Sequence, residues 1–182
     1  MTKDLTIDPY ATHLPVLTAM MALTNYAGHD TVLELGCGNY STPILHEMCR
    51  VQNRQLISVE SDYEWLNKFI NYREDWHRFV LANAAKTASR CDPDCGIDNT
   101  YFGLVFVDNH PVEQRKSDIE WVRNKADYLV IHDTEPAVEH IYGFAEILKT
   151  FKYRRDYTLL TPHTTIVSDT NPLDLDIFEQ TK

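Results

Sequence analysis

The sequence lacks any apolar run near the roughly 20 residues that cross a bilayer, which excludes a helical membrane span. It also lacks a basic patch: the longest basic cluster is Arg154–Arg155. Phosphate neutralisation needs clustered Lys and Arg, so no nucleic-acid partner is expected. The apolar stretch 14–27 is too short for a span and follows Asp4 and Asp8, which does not resemble a signal peptide. The expected location is therefore the cytoplasm, with no membrane partner. A second Cys pair is missing as well. Cys91 and Cys95 sit in Cys-Asp-Pro-Asp-Cys-Gly, and a zinc site would need two more ligands, so the segment reads as a surface loop. With no secretory signal, the four cysteines read as reduced thiols. Internal repeats, low-complexity tracts and linker-like shifts in composition are absent too. What is present is one acidic domain: 182 residues, 27 Asp+Glu against 17 Lys+Arg, net charge −10 and 43% hydrophobic residues, enough for a core.

Short apolar runs alternate with helical patterns. Segments 31–35, 55–60, 78–82, 104–107 and 129–131 are near-continuous and of strand length, as parallel strands buried on both faces are. Segments 43–50, 62–72, 112–124 and 136–149 read as amphipathic helices between them, with a further apolar helix over 14–26. The alternation predicts βαβ units and an α/β fold, a parallel sheet wrapped by helices. Segments 153–160 and 164–168 have no helix between them, so they predict a terminal hairpin. The least structured stretch, 84–100, is long enough to suggest a functional loop. Trp65, Trp76 and Trp121 fall in predicted helices and read as core or interface residues.

The most informative segment is Thr31-Val-Leu-Glu-Leu-Gly-Cys-Gly-Asn-Tyr-Ser-Thr42. A buried strand runs into Gly36-Cys37-Gly38, and a helix begins near Thr42 with Pro43 at its first position. Glycines let the backbone approach a ligand, and a helix N-terminus offers free N–H groups. A strand–Gly-x-Gly–helix unit on a parallel sheet predicts a nucleotide-cofactor site. Glu60, 22 positions after Gly38, ends the next strand, where an acid can accept hydrogen bonds from ribose hydroxyls. A dinucleotide fingerprint wants a third glycine, and position 41 is Ser41; the Walker pattern is absent.

With Glu34 two residues before Gly36, the segment resembles the Glu-x-Gly-x-Gly motif of class I S-adenosylmethionine-dependent methyltransferases. The resemblance covers about 31–168 and implies a Rossmann-like, doubly wound, mostly parallel seven-stranded sheet with a C-terminal antiparallel hairpin. It leaves 1–30 as an N-terminal helical segment and 169–182 as an acidic tail of a single domain. It also implies S-adenosylmethionine as cofactor. Gly36, Gly38 and Asn39 would lie along its amino-acid end, Glu34 beneath, Glu60 on the ribose, and Asp62 and Asn83 near the adenine.

Asp108-Asn109-His110-Pro111 ends the fourth strand and Ile131-His132-Asp133-Thr134-Glu135 the fifth. Parallel neighbours would bring Asp108 and Asp133 together although 25 residues separate them. Two carboxylates there could hold Mg²⁺ or another divalent ion, which would lower a hydroxyl's pKa. The alternative is that these strand-end acids cap the following helices. His132 is a conceivable third ligand for a softer metal, and His110 a general base. Arg115 reads either as an anchor for an anionic substrate group or as a surface ion pair with Glu113 or Asp118. This half is similar to small methyltransferase-like proteins and, distantly, to metal-dependent sugar O-methyltransferases and cephalosporin-hydroxylase-like proteins. Those relatives imply Asp108 and Asp133 as metal ligands, with Asp108 and His110 catalytic.

The expected activity is O-methylation of a small-molecule or sugar hydroxyl. A base N-methyltransferase would resemble its family in an Asn/Asp-Pro-Pro-aromatic motif, where this chain has Asp108-Asn109-His110-Pro111. Two other functions fit the same residues: a catalytically silent cofactor-binding module that works through a partner, and an NAD-dependent oxidoreductase. So small a chain leaves little for a substrate lid, which makes the acceptor site open or completed by another copy in a homo-oligomer.

Overall fold

The computed structural model describes residues 7–25, 29–82 and 97–173. Among these residues seven strands form one sheet in the order β3-β2-β1-β4-β5-β7-β6. They are β1 (Thr31–Leu35), β2 (Gln55–Glu60), β3 (His77–Leu81), β4 (Phe102–Val107), β5 (Ala126–His132), β6 (Tyr153–Tyr157) and β7 (Thr164–Ser168). The first five pair in parallel, while β7 lies antiparallel to both β5 and β6. This is the α/β, doubly wound sheet with a closing hairpin that the alternating pattern predicts.

Successive residues of a strand point to opposite faces, and the two faces carry separate cores. Val32, Leu56, Leu104, Phe106 and Val130 pack against Val16, Leu17, Met20 and Met21 of α1 (Leu14–Thr24) and Leu45 and Cys49 of α2 (Ser41–Gln52). Leu33, Leu35, Ile57, Val105 and Ile131 pack against Ile119 and Val122 of α4 (Arg115–Val122) and Ile147 and Leu148 of α6 (Ala145–Lys149). Each such side chain contributes about 1.5–3 kcal/mol on burial, which fixes both layers on the sheet.

Three predicted helices are shorter or broken. The segment 136–149 divides into α5 (Glu139–Tyr142) and α6, because Gly143 takes a left-handed conformation (φ 65°) and ends the first piece. The segment 62–72 is helical only over α3 (Tyr63–Asn67) before a separate 3₁₀ turn at Ile70–Tyr72. The third, 112–124, is α4 flanked by 3₁₀ turns. Trp76 lies in the turn before β3, not in a helix, and packs on the α1–α2 side. Asn83 and the Cys91–Cys95 loop lie outside the described residues.

Candidate active site

The glycine turn after β1 is built by close backbone approach. Gly36 N–H donates to the Val59 carbonyl at 2.8 Å, and Asp108 N–H donates to the Leu35 carbonyl at 2.8 Å. Gly36 has φ +91°, and a Cβ there would stand 2.5 Å from the Asp108 carbonyl oxygen and 2.6 Å from Asn109 Cα. Only glycine fits. Gly38 N–H donates to Thr42 Oγ1 at 3.0 Å, turning the chain into α2.

Glu34 lies wholly buried under this turn. It accepts hydrogen bonds from Ser41 (2.7 Å), Thr42 (3.0 Å) and Ser58 (2.6 Å), tying β1, β2 and the start of α2 together. Burial raises its pKa to about 7, with the three hydroxyls pulling the other way. A carboxyl raised in the fold favours the protonated chain. Its stabilising contribution is therefore full below about pH 4.5 and is lost as pH rises toward 7, by about 3 kcal/mol. Urea denaturation of the wild type and Glu34→Gln across that window should show the wild type losing ground to the variant as pH rises. A pH-independent difference would contradict this.

Glu60 is also internally engaged. Its carboxylate accepts from the backbone N–H of Ser61 (2.6 Å), Asp62 (3.0 Å) and Cys37 (3.1 Å), so it joins the glycine turn to the end of β2. Asp62 caps α3 through the Trp65 N–H at 3.0 Å. Trp65 was not expected here. Its indole N–H donates to the Cys37 carbonyl at 2.7 Å, and its ring walls the cleft beside Gly38. No periodic pattern marks it; its place one turn after Glu60 was the only available signal.

The strand order does bring Asp108 and Asp133 together, but an arginine lies between them. Arg115, only 5% exposed, reaches Asp108 Oδ1 at 2.9 Å and Asp133 Oδ2 at 3.0 Å, and its Nε donates to the Asn109 carbonyl at 2.6 Å. It is neither a surface pair with Glu113 or Asp118 nor a free anion anchor. Asp133 Oδ2 also accepts from the Tyr142 hydroxyl at 2.9 Å. A guanidinium spanning both carboxylates holds the place and supplies the charge of a shared hard cation. The residues therefore do not fit Mg²⁺ bound between Asp108 and Asp133. Among the described residues neither acid caps a helix: the N-cap positions after β4 and β5 are Pro111, Gln114 and Glu135.

His132 stands behind the pair, its Nδ1 3.4 Å from Asp108 Oδ2 and 3.5 Å from Asp133 Oδ1, its Nε2 2.9 Å from Thr12 Oγ1. Burial opposes charge on His132, but the two carboxylates outweigh it and raise its pKa. Burial likewise opposes ionisation of Asp108, yet His132 and Arg115 hold it below the usual carboxylate range. His13, at the entry to α1, comes within 4.8 Å of His132 ring to ring. It is 2% exposed, and among the described residues neither ring nitrogen has a hydrogen-bond partner. Burial, with His132 next, lowers its pKa to about 4. His110 lines an adjoining depression together with Asp108. Its side chain is exposed beside Glu60 and Asp62, and its carbonyl accepts from the Ser61 hydroxyl at 2.6 Å.

A cleft of about 630 Å³ runs from Gly38, Asn39 and Trp65 to Asp108, His132 and Asp133. That volume suits a cofactor or small molecule. Pro9 and Tyr10 form its outer wall, and the Tyr40 hydroxyl donates to Asp8 at 2.6 Å, fastening the N-terminal segment to the start of α2. The cleft opens at the carboxyl ends of the parallel strands, on either side of β1 and β4, where the crossover direction reverses.

No protein-family model and no curated protein matches this chain. Solved structures do. The O-methyltransferase TomG from Streptomyces achromogenes, in complex with S-adenosylmethionine, aligns with a TM-score of 0.60 at 16% identity over 93% of this chain and 83% of its own. The O-methyltransferase from Bacillus cereus, in complex with S-adenosylhomocysteine, gives 0.58 at 16% identity, covering 91% of this chain and 94% of its own. The chain has the class I methyltransferase fold. Cofactor-bound Rv0187 from MTB shares it, with a TM-score of 0.61 at 15% identity over 93% and 94% of the two chains.

Proposed function

We propose that this chain is an S-adenosylmethionine-dependent methyltransferase acting on a hydroxyl of a small molecule or sugar. The observation that carries the reading is the single cleft joining the Gly36–Gly38 turn to the Asp108–His132 cluster. S-adenosylmethionine supplies an electrophilic methyl on a sulfonium. Gly38, Asn39 and Trp65 would bind its amino-acid end, and Glu60 and Asp62, which line an adjoining depression that shares Cys37, Trp65 and Asp108 with the cleft, its nucleoside. Asn83 is proposed near the adenine on the resemblance alone. At the cleft's inner end, Asp108 and His132 receive the proton of the acceptor hydroxyl. Arg115 holds Asp108 in place. His110 lies on the nucleoside side and acts there, as a wall of the cofactor site rather than as the base.

The test is thermal. Excess S-adenosylmethionine at 100 times its Kd should add about 2.7 kcal/mol of stability, and NAD should add none. An unchanged melting temperature with S-adenosylmethionine would sink the proposal. Asp108→Asn should keep that stabilisation and lose methyl transfer to hydroxyl acceptors, while His110→Ala should weaken the stabilisation itself. Stabilisation without transfer to any acceptor would leave a silent binding module.

A further inference from the structure

We propose that His13, Asp108 and His132 form a site for one divalent transition-metal ion that takes imidazole ligands, Zn²⁺ or Fe²⁺ in kind, and not for Mg²⁺. One donor atom from each of the three lies within 4.8 Å of the others. Donors about 2.1 Å from a common ion stand at most about 4.2 Å apart, so closing the set needs a movement of roughly 1 Å or less. Two imidazoles and one carboxylate make a borderline donor set, which suits zinc or iron better than magnesium.

Each of the three is prepared for a ligand by a different neighbour. Thr12 engages His132 Nε2, leaving Nδ1 on the Asp108 side, the support that metal-bound imidazoles take from outside the coordination sphere. Arg115 takes Asp108 Oδ1 and leaves Oδ2 facing His132. The Arg115 and Tyr142 bonds both fall on Asp133 Oδ2, so Asp133 is committed to the clamp. His13 is the independent sign: a buried imidazole on the cleft wall with both nitrogens unpaired. Such an orphan costs about 1–3 kcal/mol, and a metal bond would satisfy it. The site opens to the cleft, so an ion there has room for an oxygen ligand. Resting on the methyl-transfer reading, that ligand is the acceptor's hydroxyl, whose pKa the ion would lower so that its proton leaves to water in the open cleft, Asp108 and His132 then serving as ligands instead of as proton acceptors.

Binding is measurable without cofactor or acceptor. Titration of the intact chain with Co²⁺, read by its visible d–d bands, should saturate at one equivalent. Zn²⁺ should displace the bands and millimolar Mg²⁺ should not. His13→Ala and His13→Gln should each weaken Co²⁺ roughly tenfold or more, with unchanged far-UV circular dichroism, because His13 side-chain nitrogens make no bond to lose. His140→Gln, on the exposed side of α5, should leave binding as it is. No Co²⁺ spectrum in the wild type, an undiminished one in both His13 variants, or displacement by Mg²⁺ would each overturn the proposal. Any of these would leave the S-adenosylmethionine result untouched.

Discussion

Replacing Arg115 by methionine should destabilise the chain by about 3–5 kcal/mol, the cost of stranding buried charge. Methionine keeps the stem and removes the fork. Asp108 Oδ1 and Asp133 Oδ2 then lose the cation that sits 2.9 and 3.0 Å away, and the Asn109 carbonyl loses its 2.6 Å donor. Two carboxylates would face each other with only His132 between them. The loss should be visible as a lower urea midpoint at pH 7. It should shrink on acidification, because protonating the carboxylates removes the repulsion. It should also shrink on adding Mg²⁺, which can replace the missing cation in the variant but has no place in the wild type. A variant as stable as wild type would show that the clamp is ornamental. One destabilised equally at pH 4 and pH 7 would show that the loss is packing alone.

Gly36→Ala should abolish stabilisation by S-adenosylmethionine and cost the fold about 2–5 kcal/mol by itself. Two penalties combine: a left-handed φ of +91°, unfavourable for any residue with a Cβ, and overlap with the Asp108 and Asn109 backbone within 2.7 Å. Backbone atoms of a central strand end cannot turn aside as a side chain does. Two other glycines separate these causes. Gly143 shares the positive φ (+65°) but has nothing within 4 Å of a Cβ, so Gly143→Ala should cost only about 1 kcal/mol, from conformation alone. At Gly38 the nearest atom is the Ser41 hydroxyl at 2.7 Å, a side chain that can rotate at the expense of its bond to Glu34. Gly38→Ala should fall between the other two. Melting temperatures of the three variants, with and without cofactor, check the order.

The fold was largely legible in the sequence, because strands buried on both faces must be continuous apolar runs. β1, β2 and β7 begin and end where those runs do. The helical stretch 136–149 was misread because a period of 3.6 cannot register the left-handed break at Gly143. The glycine turn was legible since close backbone approach leaves one residue type. The meeting of Asp108 and Asp133 followed from strand order. Its consequence did not, because an arginine that could pair outward along its own helix pairs across the strand ends instead. His13 stands 95 positions before Asp108, and only packing of α1 on the sheet brings it to the cleft. The one local hint was a histidine at the door of an apolar helix. His110, two residues after Asp108, is exposed on a depression that Asp108, Glu60 and Asp62 also line.

The contact between Gly36 and the Asp108–Asn109 backbone also bears on how such a protein can change. The turn that would cradle the cofactor and the strand end that carries the reactive cluster are in direct backbone contact, so neither can shift without the other. Their spacing behaves as a fixed gauge. The opposite wall is Pro9, Tyr10 and Pro162, surface chain attached through contacts such as Tyr40 to Asp8. Selection for a new acceptor would find its freedom there, in residues that can be exchanged, lengthened or shortened without resetting the gauge.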